Sequence, residues 1–291
     1  MAIERAVVQV AHKPWGVEDL APWSGLDGSG NPIGELRFQR ENESEPVSRL
    51  LLKLLFARQS LSIQVHPDDA FAQSIGLPNG KTEAWYILSA APDARIAVGL
   101  KRRLTAKQLR QSIRDESIAD LVRWRPVLAG DVVLVPAGTI HAIGGGIVLA
   151  EIQQRSDATF RLFDFGRQRN LDEDSAVAVS DAEPIRAQAR PRRLNAERNA
   201  LIMSRYFVLE QIELAADSKW TLNADRETWL LVTVGAAMVG HIGATVGDVV
   251  FAEADRAEIE VELPQFQVRL GFLHLGNGPV QGRPSLVQFL L

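Results

Sequence analysis

Apolar residues along much of this chain recur with a period of two, which predicts strands rather than helices. The clearest stretch is 61–66, where Leu61, Ile63 and Val65 alternate with Ser62, Gln64 and His66. Three polar side chains then share one face of a strand, and a Gln and a His at i and i+2 solubilise poorly but can converge on one cation. A wet cavity behind that face is expected. Pro67 and the Asp68-Asp69 pair end the strand, because proline cannot donate to a ladder. After a polar loop punctuated by Gly76, Pro78 and Gly80, a second strand is expected from Lys81, with Lys81, Glu83 and Trp85 on one side. Wherever these two strands are neighbours, Gln64, His66 and Glu83 can meet.

Residues 50–56, LLLKLLF, are apolar without alternation and fit a buried strand or a short helix equally. Local context alone predicts that Lys53, the one charge in the run, snorkels to the surface. Between 104 and 123 the period changes, and Leu104, Leu109, Ile113, Ile118, Leu121 and Val122 are spaced for one or two amphipathic helices with Thr105 as N-cap. From Gly130 the strand pattern returns. A buried strand at Val132–Val135 runs into a Pro136-Ala137-Gly138 turn, His141 follows, and Ile147, Leu149, Glu151 and Gln153 then share a face. A carboxylate among core positions is either paired with a cation or lines a polar cavity. Residues 1–45, with KPWG, WSG and a Gly- and Asn-rich loop, read mainly as turns, and His12 reads as a surface or capping residue.

After Arg169 the chain to about residue 200 lacks alternation and reads as a connection. Short strands then recur in YFVLEQIEL, TWLLVTV, GDVVFA, AEIEVEL and FQVRLGFLHL, a pattern of sandwiches and barrels. GDVV occurs at 130–133 and again at 247–250, which suggests two related β units. His241 and His274 stand apart from any metal-like spacing and read as structural.

Composition narrows the chemistry. The 291 residues suffice for two β domains, and 46% hydrophobic with 23% charged residues is ordinary for a globular protein. With 32 Lys and Arg against 36 Asp and Glu, the net charge of −4 leaves no footprint for nucleic acid or an anionic membrane. No cysteine is present, so a metal here would need nitrogen and oxygen ligands. No apolar run approaches the roughly 20 residues of a membrane helix, and the N-terminus lacks the apolar core of a signal peptide, so a cytoplasmic protein is expected. A lone strand histidine is also well explained as a hydrogen-bonded structural residue, so the metal reading needs a second source of ligands.

That source comes with a resemblance. Gly130, then Pro136-Ala137-Gly138, then His141 have the spacing of the second conserved motif of the cupin superfamily, although Gly145 stands where an asparagine usually closes it. The first motif appears as Gln64-Val65-His66 with Glu83 beyond a longer loop, a departure that resembles type I phosphomannose isomerases. QVHPDD, GKTEAWYIL, PAGTIHAIGGG and EIQQRSDATFRLFDFGR occur in that family's order, and KPWG and LSIQ agree with its N-terminal part. The resemblance is strong over about the first 170 residues and holds only in outline beyond them.

The resemblance implies a mainly β fold of two cupin-like jelly rolls. These would be a metal-binding domain at 1–175 with the helical insert at 104–123, a connection at 176–200, and a second, metal-free jelly roll at 201–291. It implies one Zn²⁺ per chain held by Gln64, His66, Glu83 and His141. It places Lys53, Ser62 and Arg167 near a substrate phosphate, Lys81 and Arg161 as active-site cations, and Glu151 as proton carrier, with zinc-bound water the competing base. The implied reaction interconverts mannose 6-phosphate and fructose 6-phosphate through a metal-stabilised cis-enediol. The partner would be a small sugar phosphate, with no nucleic acid, no membrane and no expectation for oligomeric state. Two rival readings are a non-haem Fe(II) cupin oxygenase, since two His and one carboxylate can form a facial triad, and a sugar-sensing cupin without catalysis.

Overall fold

The computed structural model describes residues 2–41, 47–167, 169–185, 188, 190–261 and 268–275. Its first strands are β1 (Ala2–Arg5), β2 (Val7–Val17), β3 (Ile33–Gln39), β4 (Leu50–Ala57) and β5 (Ile63–Val65). Helix α1 (Asp69–Ser74) precedes β6 (Glu83–Ala90) and β7 (Arg95–Leu100). Two short helices, α2 (Ala106–Arg114) and α3 (Ile118–Leu121), lead into β8 (Val122–Pro126) and β9 (Val132–Val135). Then come β10 (His141–Ile143), β11 (Ile147–Gln154), β12 (Phe160–Phe163) and α4 (Glu173–Val179). The remainder is strand: β13 (Arg192–Arg193), β14 (Arg198–Met203), β15 (Phe207–Leu214), β16 (Lys219–Ala224) and β17 (Thr228–Val234). Last are β18 (Ala236–Val239), β19 (Ile242–Thr245), β20 (Val249–Glu253), β21 (Asp255–Glu260) and β22 (Val268–Leu275).

These strands pair antiparallel in four sheets. A six-stranded sheet, β2-β3-β4-β11-β6-β9, and a five-stranded sheet, β12-β5-β10-β7-β8, enclose one apolar core that includes Leu55, Trp85, Ile96, Val133 and Leu149. A seven-stranded sheet, β1-β20-β17-β22-β15-β14-β13, and a four-stranded sheet, β16-β21-β18-β19, enclose another around Leu222, Val232 and Ile259. The six- and seven-stranded sheets also pack back to back, with Phe38, Leu52, Leu54 and Ile152 against Phe207, Leu209, Trp229 and Phe251.

This layering explains the unbroken run on β4. Leu50, Leu52, Leu54 and Phe56 fill the layer between the two units while Leu55 faces into the first, so both faces of the strand are buried. Lys53 therefore has no route to the surface. It is 4% exposed and points into the first unit, contrary to the snorkelling expected from its neighbours. On the outer side of the five-stranded sheet, Ile63, Val65 and Ala142 pack against Leu109, Ile113, Ile118 and Ala176 of the helices. Thr105 caps α2 in a full capping box with Gln108, as its position predicts.

Two sequence expectations change. Residues 1–45 are not mainly turns, because β2 and β3 pair along most of their length with irregularities around His12. KPWG lies in that irregular stretch. Gly16 and Gly34 permit its close approach to β3, since a Cβ on Gly16 would lie 2.5 Å from the Ile33 carbonyl carbon and one on Gly34 2.5 Å from the Lys13 side chain. The expected division of the chain is crossed at both ends of the first unit: β1 pairs with β20 in the second unit's sheet, and α4 extends into residues 176–179. Exposed His12 lies against the Asn31 carbonyl, His241 is exposed in the turn between β18 and β19, and the side chain of His274 lies outside the described residues. Among the described residues no helix is long and apolar enough to cross a membrane.

The second unit repeats a local device of the first. Glu83-Ala84-Trp85 on β6 and Glu227-Thr228-Trp229 at the start of β17 each direct the indole N–H to the glutamate two residues earlier, at 3.1 and 2.9 Å. The Glu227 carboxylate also accepts the backbone N–H groups of Arg49, at 2.6 Å, and Leu50, at 3.0 Å, and so anchors the start of β4. Glu227→Ala leaves three donors, two of them buried, without an acceptor. A stability loss of about 3 kcal/mol is expected, read as a lower urea midpoint at unchanged slope.

Candidate active site

Strand register assembles the site. In the five-stranded sheet β5 lies between β10 and β12, with Gln64 opposite His141 on one side and Arg161 on the other. Opposed residues of antiparallel strands point to one face, so these three form a row toward the interior. Across the facing six-stranded sheet a second row runs Arg37, Lys53, Glu151, Trp85, with Glu83 opposite Gln153 in the adjoining register.

The loop between β5 and β6 closes the remaining gap. A Cβ on Gly80 would lie 2.4 Å from the Asp68 carbonyl carbon, so only glycine crosses there. Immediately afterwards the Lys81 N–H donates to the Pro67 carbonyl at 3.0 Å. The Pro136-Ala137-Gly138 turn is tied in by Gly138, which has φ of 85° and donates its N–H to the His66 carbonyl at 2.9 Å.

His66, Glu83 and His141 thereby meet inside the barrel, each essentially inaccessible, with ligand atoms all within 4.8 Å of one another. His66 Nδ1 faces the Ala158 carbonyl at 2.8 Å and His141 Nδ1 faces that of Thr139 at 2.9 Å. A carbonyl only accepts, so both Nδ1 atoms carry the proton and both Nε2 atoms present lone pairs. Those lone pairs look at the oxygens of Glu83, His66 Nε2 at 3.3 Å and His141 Nε2 at 3.4 Å. His66 Nε2 is buried with no hydrogen-bond partner, and among the described residues Glu83 Oε2 is met from outside the pair only by the Lys81 ammonium at 3.1 Å. Lone pairs aimed at lone pairs in a dry interior are unfavourable unless a cation lies among them, so the residues fit a bound metal ion.

Protonation reinforces this. Burial, and then the Lys81 ammonium, lower the His66 pKa to about 3 despite the opposing pull of Glu83. Burial likewise lowers His141. Burial works against charge on Glu83, but Lys81, 3.1 Å from Oε2, and then His66 outweigh it and hold the carboxyl well below its ordinary range. The set is two neutral imidazoles and one carboxylate. Gln64 adjoins them, its Nε2 3.3 Å from His141 Nε2 and its Oε1 accepting from the Ser62 hydroxyl at 3.0 Å. The amide N–H can therefore donate to the His141 lone pair, and the reversed amide, donating to the Ser62 oxygen, would turn Oε1 toward the imidazole lone pair as an acceptor suited to a cation.

A cleft of about 260 Å³ opens beside Gln64 and Lys81, lined by six basic side chains, Lys13, Arg37, Lys53, Lys81, Arg161 and Arg169, against three acidic ones, Glu35, Glu151 and Asp157. Ser62 and Glu151 are on its wall. Lys53 Nζ donates to Glu151 Oε1 at 3.2 Å and Gln153 Oε1 at 2.7 Å, and Lys81 Nζ lies 4.0 Å from the same Glu151 oxygen. Burial opposes the charge on Lys81, but Glu83 and then Glu151 raise its pKa, so it remains an ammonium. The Nε of Arg161 is buried with no partner.

Of the residues singled out from sequence, only Arg167 is not brought to the cleft or the metal-ligand group. Its guanidinium donates to Asp164 and to the Ser60 carbonyl at 2.8 Å. Arg169 lines the cleft instead, while pairing with the same Asp164. Lys13, Trp15, Glu35 and Arg37 also line it and were missed, because KPWG reads as turn chemistry. The signal was nonetheless present: in IGELRFQ, Leu36 and Phe38 alternate with Glu35 and Arg37.

Acid should expose the cost of this arrangement. His66 titrates near its ordinary 6.5 when unfolded but only near 3 when folded, so between those values the unfolded chain binds the extra proton. Stability then rises with pH across that window, and Glu83 adds to the same slope below its ordinary 4.5. Metal-stripped protein should show a denaturation free energy that is flat just above pH 7 and declines below about 6.5, steepening below 4.5. A free energy unchanged down to pH 4.5 would mean that the buried imidazole is charged in the fold.

No family model matches the chain. A mannose-6-phosphate isomerase of Streptococcus mutans is 37% identical over 232 residues, covering 75% of this chain and 71% of that protein. A second, from Bacillus subtilis, is 44% identical over 120 residues, 41% of this chain and 38% of that protein. Among solved structures, a mannose 6-phosphate isomerase from Bacillus subtilis superposes with a TM-score of 0.82 at 22% identity, over 94% of this chain and 100% of the other. A phosphomannose isomerase variant from Salmonella typhimurium gives 0.74 at 16% identity, over 94% and 100%, and these two likenesses speak for the fold. A sequence match of that extent, on a two-unit β fold with buried His, Glu and His in one of its barrels, places this chain in the mannose-6-phosphate isomerase family.

Proposed function

We propose that this protein interconverts mannose 6-phosphate and fructose 6-phosphate, with one Zn²⁺ held by Gln64, His66, Glu83 and His141. The observation that carries the reading is the Glu83 group in contact, through Lys81 and Gln64, with the wall of a mainly basic cleft that also contains a buried glutamate. The reaction is redox-neutral overall. The open-chain aldose loses its C2 proton, the electron pair forms C1=C2 and places negative charge on O1, O1 takes a proton to give the cis-enediol, and loss of the O2 proton with protonation at C1 yields the ketose. The divalent ion, when bound, supplies Lewis-acid charge near the sugar oxygens.

The chain's own groups do the rest. Glu151 takes and returns the carbon-bound proton, held in place by Lys53. Lys81 and Arg161 lie beside it as cations for the developing oxyanions, and Arg161 retains a free buried N–H. The phosphate dianion is met by Ser62, by the remaining N–H of Lys53 and by Arg169, a cleft-lining cation where Arg167 is not.

Metal-replete protein incubated with mannose 6-phosphate should form the ketose and take solvent deuterium into C1 or C2. Binding without isomerisation or exchange would favour a sensor, and bound iron with oxygen uptake would favour an oxygenase. Glu151→Gln should keep its metal and lose about 10²- to 10⁴-fold in kcat. Near-normal turnover in that variant would remove Glu151 from the proton transfer.

A further inference from the structure

Asp69, the first residue of α1, sits where four parts of the molecule meet. Its Oδ1 accepts the Gly80 N–H and the Gln154 side-chain amide, each at 2.9 Å. Its Oδ2 accepts the hydroxyl of Tyr206 at 3.0 Å, with Arg205 a weaker ion-pair partner at 3.9 Å. Tyr206 lies in the turn between β14 and β15, so the contact comes from the second unit.

The chain of bonds continues inward. Gln154 Oε1 accepts the Thr82 N–H at 2.9 Å, and the Gln154 N–H donates to the Thr82 carbonyl at 3.1 Å. The Thr82 hydroxyl accepts the Ala137 N–H at 3.2 Å. Thr82 stands between Lys81 and Glu83, Gln154 three residues beyond Glu151, and Ala137 in the turn that leads to His141. One carboxylate thus joins a tyrosine of the second unit to the backbone beside a metal-ligand carboxylate, a cleft lysine and the candidate base.

We infer that Tyr206 is a positioning residue for the isomerisation: through Asp69 and Gln154 its hydroxyl holds the 67–82 loop in the register that sets Lys81 and Glu83. The second unit then contributes to turnover without touching the sugar. Gly80 crosses Asp68 with no room for a side chain, Asn79 donates to the Arg155 carbonyl at 3.2 Å, and the Tyr206 bond fastens the loop to the second unit. A loosened loop displaces Lys81, which faces both Glu83 and Glu151. Misplacement of a charge-stabilising group by a fraction of an ångström falls on the barrier more than on ground-state binding.

The inference rests on the isomerase reading and is tested on metal-loaded full-length protein with mannose 6-phosphate. An inactive wild type would strike that reading, whereas the results below strike only this one. Tyr206→Phe removes the hydroxyl and keeps the ring. Its kcat should fall about three- to tenfold, the weight of one hydrogen bond, with KM within twofold and metal content unchanged. Asp69→Asn should lose more, and the double variant should lose no more than Asp69→Asn alone, because both act through one bond. Gln211→Ala, which cuts a separate contact between the units at Tyr86, should leave kcat unchanged. Wild-type kcat in Tyr206→Phe, losses that multiply in the double variant, or a loss in step with metal content and folded fraction would each overturn the role.

Discussion

Two imidazole lone pairs pointed at one buried carboxylate form the constraint on which this molecule depends. The contact would be repulsive without a cation among the atoms, and it is enforced from every side: carbonyls fix the Nδ1 protons, an indole fixes Glu83, and burial keeps His66 and His141 neutral. A fold holds such an arrangement only if the surrounding sheets lose more by relaxing than the site gains. The fully buried strands that flank it supply that resistance, and the site exchanges local stability for a place where a cation is wanted.

The layered architecture follows from the same need. A single jelly roll could bury the inner faces of its two sheets, but β4 carries leucines on both faces and requires cover on its outer side as well. The seven-stranded sheet provides it. That sheet also receives β1, and through Glu227 it anchors the start of β4, the strand that carries Lys53. Rigidity on the outer face of β4 becomes precision on the inner face, where Lys53 orients Glu151. Helices α2, α3 and α4 do the same for the five-stranded sheet, pressing on Ile63 and Val65 so that Gln64 and His66 look inward.

Charge in the cleft is arranged by sign and depth. Basic side chains outnumber acidic ones on its wall although the whole chain is slightly acidic, so attraction for an anion is confined to the concave surface. Glu151 lies between two ammonium groups, so the buried carboxylate on the cleft wall is flanked by positive charge.

Much of this was written in local pattern. Period-two alternation sufficed to put Ser62, Gln64 and His66 on one face and Glu83 with Lys81 on another, because side-chain direction along a strand depends only on the strand. Thr105 and the helical insert were legible for the same reason, as capping and amphipathic spacing are local. The resemblance to a known family supplied His141. Lys53 was misjudged from its neighbours because its direction depends on a second sheet covering the far side of β4, and Arg167 is turned from the cleft because Asp164 and the Ser60 carbonyl hold its guanidinium. The turn-rich N-terminus concealed β2 and β3, whose pairing is closed by glycines at a crossing that no single segment describes. The sequence by itself determined which side chains share a face and what chemistry they could perform together. Tertiary structure alone decided which faces meet and which cations reach the cleft, because those outcomes depend on long-range register and on burial by distant strands.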